Sequence, residues 1–352
     1  MTLTERKQAF IKLGEFITQF ADKTATKKED IPHNDLFFDG MLNQIKLAEE
    51  HNGWFTRENI QFALKSWSRA LTESNLSQWI SNYKIENQNP KTVAIIMAGN
   101  IPLVGFHDFL SVLMTGHSVL VKQSSKDKQL LPYLAKYLEY TNPGFKGKIT
   151  FTNEKLDHFD AIIATGSDNT ARYFEFYFKT KPHIIRKNRN SVAILTGNET
   201  EEQLIALGED IFRYYGLGCR NVSKLYVPEG YSFDTFYKAI YPWHHLVDKQ
   251  KYANNYDYNK AVYLMSEFDF LDNGFFMLKE DKSFSSPIAT CFYEYYNSIE
   301  ELQHKIENEI ESIQCVVASG FSKKEVAFGK TQQPQLWDYA DNTDTVDFLL
   351  KI

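Results

Sequence analysis

Apolar residues in the first 89 positions recur with a helical period. Amphipathic helices are predicted for residues 1–20, 36–50 and 56–71. In the last of these, Ile60, Leu64, Trp67 and Leu71 are spaced so that they lie on one helix face. We therefore expect residues 1–89 to form a helical segment that packs on the domain that follows.

From residue 91 the pattern changes to short apolar runs that alternate with helical segments. Four of these runs are "TVAIIMAGN", "HSVLVKQSS", "DAIIATGSDN" and "SVAILTGNE". Continuous apolar runs are typical of buried parallel strands, and strands that alternate with helices predict a parallel sheet covered on both faces. The fold class is therefore α/β.

The same alternation continues after the fourth run, with strands predicted in "SKLYVPEG", "PIATCFYEYY" and "CVVASGF". A polar, tyrosine-rich region extends to about residue 262, and the last segment has little periodicity. We expect one sheet domain at 90–195, a second at 196–325 and a C-terminal arm at 326–352.

Charge and composition narrow the function classes. The chain has 352 residues and a net charge of -6, which argues against a general nucleic-acid binder. No stretch approaches the roughly 20 apolar residues that a membrane span needs. The N-terminal segment lacks the apolar run of a signal peptide. The three cysteines form no CxxC motif, so a cytoplasmic location is expected.

Polar residues follow three of the predicted strands. They are Gly99–Asn100, Lys122–Ser125 and Gly166–Ser167. Each pattern alone is weak, because a Gly-Asn pair is usually a turn and a lysine after a strand is usually solvated. Since ligands of parallel sheets bind at the carboxyl ends of the strands, the three together predict a binding site.

The segment "YYGLGCRNVSKLYVPEG" contains Cys219 just after two glycines, at positions 216 and 218. A thiol in such a turn is either a nucleophile or a small buried hydrophobe. Cys291 and Cys315 lie in apolar strands and are expected in the core. No histidine set has zinc-ligand spacing, so no metal is expected: His244–His245 are expected at the surface, and His107 and His117 as hydrogen-bonded helix residues.

These segments together resemble the aldehyde dehydrogenase superfamily. "AGNIPLVGFHDFLSVLMTGHSVLVKQSS" resembles its Asn-x-Pro segment and the strand that ends in Lys-Pro-Ser-Glu, and "ATGSDNTARYF" resembles its Thr-Gly-Ser turn. "IFRYYGLGCRNVSKLYV" is similar to its Cys motif, with Leu217 in place of Gln and Lys224 in place of Arg. The narrower likeness is to LuxC-type acyl-CoA reductases.

The resemblance implies a Rossmann-type dinucleotide-binding domain at 90–195 and an α/β catalytic domain at 196–325. It implies that Cys219 is the nucleophile and that Asn100 helps to hold the oxyanion. The implied reaction is reduction of a long-chain acyl-CoA or acyl-protein thioester to a fatty aldehyde. Ile185 falls near the position of the general base that activates water in hydrolysing relatives, which favours reduction over hydrolysis.

A nicotinamide cofactor is implied at the strand ends. The implied contacts are Lys122, Ser124, Ser125, Gly166 and Ser167. Ser125 replaces a carboxylate and is followed by Lys126, which favours NADPH, with NADH possible. Ser283 stands where the superfamily often has a ribose-binding Glu, which departs from the pattern. Arg186, Lys187 and Arg189 are either a site for coenzyme A phosphates or a solvated loop.

Several alternatives stay open from the sequence. The acyl donor could be an acyl phosphate or a carrier-protein thioester, or the chain could be a non-catalytic nucleotide-binding protein. The resemblance implies a homo-oligomer and a protein partner that loads acyl groups, and leaves the acyl chain length open. Gly274, Phe275 and Phe276 are either the wall of an acyl tunnel or core.

Overall fold

The chain, described by a computed structural model over residues 1–85 and 89–352, divides into two compact units. The first unit comprises Met1–Lys187 together with Gln335–Ile352, and the second comprises Asn188–Pro334. Each unit contains a mainly parallel sheet with helices. The predicted α/β class is confirmed.

The first unit contains the predicted helical segment and the first sheet. Its helices are α1 (Leu3–Thr18), α2 (Asn34–His51), α3 (Arg57–Ala70), α4 (Glu73–Ile80), α5 (Phe106–Met114), α6 (Leu130–Thr141), α7 (Asp168–Phe178) and, near the C-terminus, α12 (Thr345–Leu350). Its strands are β1 (Thr92–Ile96), β2 (Ser118–Lys122), β3 (Ile149–Thr152), β4 (Ala161–Thr165) and β5 (His183–Arg186).

The N-terminal helices form because their apolar faces pack into one core. α1 starts with a capping box in which Thr2 and Glu5 exchange hydrogen bonds, which satisfies orphan N–H groups of the first turn. In α3, Ile60 and Leu64 are fully buried, as their spacing predicts. Phe16 of α1 stacks on Tyr137 of α6 at 4.2 Å between ring centroids, so this helical segment packs directly on the first sheet domain.

The described strands of the first sheet are all parallel and have the order β3-β2-β1-β4-β5. At the end of β1, Ile96 pairs with Lys122 on one side and Ala164 on the other. The carboxyl ends of β1, β2 and β4 therefore meet at one edge. The chain reverses its direction of strand addition between β1 and β4, and crevices at such switch points bind ligands in open α/β sheets.

The second unit is built on the second sheet. Its helices are α8 (Glu201–Phe212), α9 (Asp234–Ile240), α10 (Gln250–Met265) and α11 (Ile299–Asn308). Its strands are β6 (Asn190–Ile194), β7 (Val222–Pro228), β8 (Phe270–Asp272), β9 (Met277–Glu280), β10 (Thr290–Tyr296) and β11 (Ile313–Val317). Their order is β11-β6-β7-β10-β9-β8, and the described pairs are parallel except for β8 with β9.

The expected boundary at residue 195 is wrong for β6. This strand pairs with β7 and β11, so its backbone hydrogen bonds place it in the second sheet. The C-terminal arm is also divided, because Gln335–Ile352 belongs to the first unit. There His107 bonds through Nε2 to the Leu336 carbonyl at 2.8 Å.

The tyrosine-rich region differs from the expected pattern in another way. It contains α10, whose Tyr252, Tyr256 and Tyr263 are buried. Its polar residues obscure the helical period in the sequence. Among the described residues, no helix is both long enough and apolar enough to span a membrane.

Candidate active site

The loop that follows β1 contains Asn100 and lies against the loop that follows β2. A Cβ atom placed on Gly99 would lie 2.6 Å from both Cβ and Oγ of Ser124. That distance is shorter than real Cβ contacts allow, so only glycine lets the two loops approach so closely. The backbone N–H of Met97 also donates to the Lys122 carbonyl at 3.0 Å.

Two buried side chains, Asn52 and Asp127, hold these loops, and neither belongs to a recognisable sequence motif. Asn52 Nδ2 donates to the carbonyls of Gly99 at 3.5 Å and Lys126 at 3.3 Å. Asp127 Oδ2 accepts the N–H of Leu103 at 3.2 Å, and Leu103 has a left-handed φ of 57°. Sequence patterns do not reveal these contacts, because each joins loop residues that are far apart in the chain.

Asp127 is a buried carboxyl group with an incomplete set of hydrogen bonds. Its side chain is only 9% exposed, and within residues 1–85 and 89–352 Oδ1 is buried without a hydrogen-bond partner. Burial raises the pKa of Asp127 to about 6, and the bond from the Leu103 N–H opposes that rise. The loop after β2 thus contains a carboxyl group whose pKa is raised by burial.

The residues at the end of β2 differ in how they are engaged. Lys122 Nζ donates to the Glu154 carbonyl at 3.0 Å. Ser124 Oγ accepts the N–H of Lys126 at 3.2 Å. Ser125 and Lys126 are both exposed, so both can meet a ligand at this edge.

The third strand end forms a helix N-terminus. Ser167 is the N-cap of α7, and its Oγ accepts the Thr170 N–H at 3.4 Å. A Cβ on Gly166 would lie 3.0 Å from Thr170, so the turn from β4 into α7 is tight. The N-terminus of a helix at a sheet switch point suits a phosphate group.

Six residues predicted from the sequence thus lie at the carboxyl edge of the first sheet: Asn100, Lys122, Ser124, Ser125, Gly166 and Ser167.

Cys219 lies in the second unit, in the turn that leads from α8 into β7. Its side chain is exposed, whereas Cys291 and Cys315 are buried, as expected. Burial raises the pKa of the Cys291 thiol, which makes that thiol a poor nucleophile.

The thiol turn, residues 213–221, has an unusual backbone. Tyr214 and Tyr215 have φ values of 57° and 59°, and Gly216 follows with 75°. Left-handed conformations are unfavourable for residues with a Cβ, so the surroundings must hold this turn in place. Asn221 and Ser191, both buried, bond to its backbone.

Two basic residues near the thiol have other partners. Arg220 Nη1 donates to Cys315 Sγ at 3.4 Å, so its guanidinium contacts a buried thiol. Lys224 is fully buried in β7, where Nζ bonds to Glu294 at 2.7 Å and to the Lys282 carbonyl at 2.7 Å. Lys224, which stands at an Arg position of the superfamily motif, thereby holds the segment that contains Ser283.

Arg186, Lys187 and Arg189 have different partners. Arg186 is buried, bonds to Asp108 at 2.7 Å and donates to the Ala340 carbonyl at 2.8 Å, so it holds the C-terminal segment. Lys187 pairs with Glu175 at 2.8 Å on the surface. Arg189 belongs to the second unit, where its Nη1 lies 3.3 Å from the Ile310 carbonyl and 3.4 Å from the Ile313 carbonyl.

The histidines are hydrogen-bonded or exposed as expected, but His117 lies just before β2 and not in a helix. His117 accepts the Lys91 N–H at 3.1 Å through Nδ1 and contacts the Leu349 carbonyl through Nε2. His244 and His245 are exposed and contact nearby backbone carbonyls. In the described part of the chain, no group of three or more His, Cys, Asp or Glu residues could hold a metal ion.

Phe275 and Phe276 belong to the core of the second unit. Both are 2% exposed, and Phe276 lies 4.8 Å from Phe212 between ring centroids. Gly274 beside them has a φ of 93°. The two phenylalanines are therefore packed in the interior of the second unit.

Comparisons with known proteins agree with the fold. The family model described as acyl-CoA reductase (LuxC) matches residues 11–241. A search of curated proteins found no match.

Several aldehyde dehydrogenases of known structure have a similar fold. The NAD+ complex of the Bacillus cereus enzyme has a TM-score of 0.62 at 15% identity, covering 92% of this chain and 73% of that one. Aldehyde dehydrogenase 21 from Physcomitrella patens, solved with succinate, has a TM-score of 0.66 at 12% identity, covering 100% and 84%. The P. syringae indole-3-acetaldehyde dehydrogenase has a TM-score of 0.64 at 14% identity, and the match covers 90% of this chain and 72% of that one.

Proposed function

The chain belongs to the acyl-CoA reductase (LuxC) family, and from this membership we propose that it reduces a long-chain acyl thioester to a fatty aldehyde. The acyl group is carried by coenzyme A or by a protein, and the reductant is NADPH. The observation that supports this proposal most directly is the exposed thiol of Cys219 in a turn whose backbone is held by buried side chains.

In the first half of the reaction, Cys219 acts as the nucleophile. Its thiolate sulfur bonds to the acyl carbon, the bond from that carbon to the donor's sulfur breaks, and the donor leaves as a thiolate that takes up a proton. The Asn100 amide and the Cys219 N–H donate hydrogen bonds to the oxyanion. Loss of one such donor costs about 10² to 10³ in rate.

The carboxyl edge of the first sheet fits a dinucleotide. The first turn of α7 offers backbone N–H groups to a pyrophosphate, and the close approach of Gly99 to Ser124 brings the β1 and β2 loops together at this edge. When bound, the reduced nicotinamide supplies the hydride that converts the acyl group on Cys219 to an aldehyde. Release of the aldehyde returns the thiol.

NADPH is proposed because Ser125 and Lys126 are exposed at the β2 end. A 2′-phosphate would meet a hydroxyl group and a cation there, and not a carboxylate. Charges a few Å apart interact by about 4 kcal/mol at an effective dielectric constant near 20. Ser125→Glu is therefore expected to weaken NADPH binding more than NADH binding, and equal weakening would contradict this assignment.

Protection of the acyl-enzyme from water is part of the proposal. Ile185, near the position of the superfamily's general base, is a half-buried residue of β5 and cannot take up a proton. A positioned general base contributes about 10² to 10⁴ in rate. Without such a group at this position, hydrolysis is slowed and the acyl group remains for reduction.

Intact-mass spectrometry after incubation with a long-chain acyl-CoA, without NADPH, tests the covalent step. We expect one acyl adduct on the wild type and none on Cys219→Ala. Cys291→Ala is the matched control, because Cys291 is buried and should not be acylated. An adduct that persists in Cys219→Ala would refute the role of this thiol.

Absorbance of the reduced nicotinamide then tests turnover. Coenzyme A, carrier-protein and phosphate donors with one acyl chain are compared, so that the preferred leaving group is identified. An adduct without cofactor oxidation for any donor would favour a non-catalytic or transferase role. Folded protein that neither forms an adduct nor oxidises NADPH would overturn the proposal.

A further inference from the structure

The backbone on both sides of Cys219 is held by side chains that are themselves buried. Asn221 Oδ1 accepts the N–H of Gly218 at 2.9 Å, and Ser191 Oγ donates to the Cys219 carbonyl at 2.9 Å. Asn221 is 2% exposed and Ser191 is fully buried, whereas the thiol between their contacts is exposed. The exposed thiol is thus attached to a backbone segment that buried side chains hold.

Asn221 also completes the end of α8. Its Nδ2 donates to the carbonyl of Arg213 at 2.6 Å and lies 3.2 Å from the carbonyl of Asp210 and 3.3 Å from that of Ile211. The last carbonyls of a helix lack partners within the helix, and burying them unpaired is unfavourable. One carboxamide therefore satisfies the helix end and fixes the thiol turn.

The left-handed backbone of the thiol turn makes this support necessary. Tyr214 and Tyr215 adopt a left-handed conformation that is unfavourable for residues with a Cβ. Such conformations persist where surrounding contacts determine them. The bond from Asn221 to the Arg213 carbonyl lies at the start of this segment, and the bond to the Gly218 N–H lies just before the thiol.

We propose that Asn221 and Ser191 are positioning residues that fix the thiol turn so that Cys219 is held in its reactive orientation. The inference rests on the proposed role of Cys219 as nucleophile. It assigns no contact with substrate to either residue. Their effect acts through the backbone of residues 218 and 219.

The α8 end extends this arrangement to a second segment. The Asp210 carboxylate, from the same residue whose carbonyl faces Asn221, accepts the N–H groups of Gly329 at 2.6 Å and Thr331 at 3.0 Å. The turn is therefore anchored within the second unit to α8, to β6 through Ser191, and through α8 to residues 329–331. A rigid anchor explains how an exposed loop keeps one geometry.

Alkylation of Cys219 by iodoacetamide tests the inference without any acyl donor. The rate is measured by mass spectrometry from pH 6 to 10, roughly the range over which thiols ionise. Cys291 and Cys315 are buried and should react slowly. We expect Asn221→Ala and Ser191→Ala to lower the rate at pH 7 about tenfold or more and to move the pH midpoint upward.

Two control variants separate positioning from general stability. Asn259→Ala removes a buried asparagine that donates to the Ile288 carbonyl at 2.9 Å, and Ser286→Ala removes a serine that donates to the Thr290 carbonyl at 2.8 Å. Both bonds lie in the second unit, and neither has its donor or acceptor in the thiol turn. These controls should melt earlier and keep the wild-type pH profile of alkylation.

The outcomes are distinguishable from those of the proposed function. If Asn221→Ala fails to fold, Ser191→Ala decides the matter, because it removes a single hydrogen bond. Folded Ser191→Ala or Asn221→Ala with a wild-type alkylation profile would overturn the inference. If both variants show the expected change but the wild type forms no acyl adduct, the thiol turn is as inferred and the proposed reaction fails.

Discussion

Replacing Asp127 by asparagine should change the pH dependence of stability in a calculable way. The carboxyl group is 9% exposed, and burial raises its pKa from 3.8 to about 6. Between these values the folded state keeps a proton that the unfolded state has lost, so stability falls as pH rises from about 4 to about 6.

The magnitude follows from the two pKa values. Each pKa unit corresponds to about 1.4 kcal/mol, so ionised Asp127 destabilises the folded state by about 3 kcal/mol at pH 8. The same relation places about half of that loss already at pH 5. Asparagine cannot ionise and escapes this loss. The free energy of unfolding of the variant, relative to that of the wild type, should therefore rise by about 1.5 kcal/mol from pH 5 to pH 8.

The change of this relative stability with pH is more informative than its value at any one pH. The side-chain amide of the Asp127→Asn variant would be buried where Oδ1 of the carboxylate has no hydrogen-bond partner among the described residues, and an unpaired group costs about 1 to 3 kcal/mol. That cost does not depend on pH. Asp210, whose pKa burial also raises to about 6, is present in both proteins and cancels.

Urea unfolding at pH 5, 6, 7 and 8 provides the measurement. Asp39→Asn is the control, because Asp39 is exposed on α2 of the same unit. The control should show a constant difference from the wild type. If Asp127→Asn also keeps a constant difference across this range, the carboxyl group is not held protonated by burial and the reasoning is refuted.

Three further predictions concern buried charges and the oxyanion donor. Arg186→Ala should lower the free energy of unfolding by about 3 to 5 kcal/mol in urea titrations, because it leaves Asp108 buried without its cation; a loss under about 1 kcal/mol would contradict this. Lys224→Met should cost less, since Glu294 retains its pair with Lys305; an equal or larger loss would count against that explanation. Asn100→Ala should slow acylation of Cys219 by about 10² to 10³ in stopped-flow or mass assays while leaving NADPH binding within about twofold; an unchanged acylation rate would remove Asn100 from the oxyanion site.

Hydrophobic patterning was sufficient to identify most of the elements. The apolar runs at 92–96, 161–165 and 190–194 form strands with consecutive buried residues, as in a parallel sheet covered on both faces. In the run at 118–122 only Val119 and Val121 are buried. Strand ends with Gly-Asn and Gly-Ser indicated where the first sheet meets a ligand. These signals are local, so they can be recognised without knowledge of the fold.

Other elements carried weaker local signals. β3 and β5 are only four residues long, and their burial is mixed, so they lack a continuous apolar run. α10 presents buried tyrosines that resemble polar residues in the pattern. Assignment of β6 to the second sheet depends on its partners β7 and β11, which the chain places far from it in sequence.

What the sequence alone determined is the alternation of strands and helices, the core cysteines at 291 and 315, and Cys219 as the thiol in a glycine-rich turn. Only the tertiary structure decided that Arg186 is a buried ion-pair partner and that Asn221 and Ser191 hold the thiol turn. The physical reason is that apolar periodicity can be read from residues close together in the chain. The role of a buried polar side chain depends on its partners, which for Arg186 lie 78 and 159 positions away in the sequence.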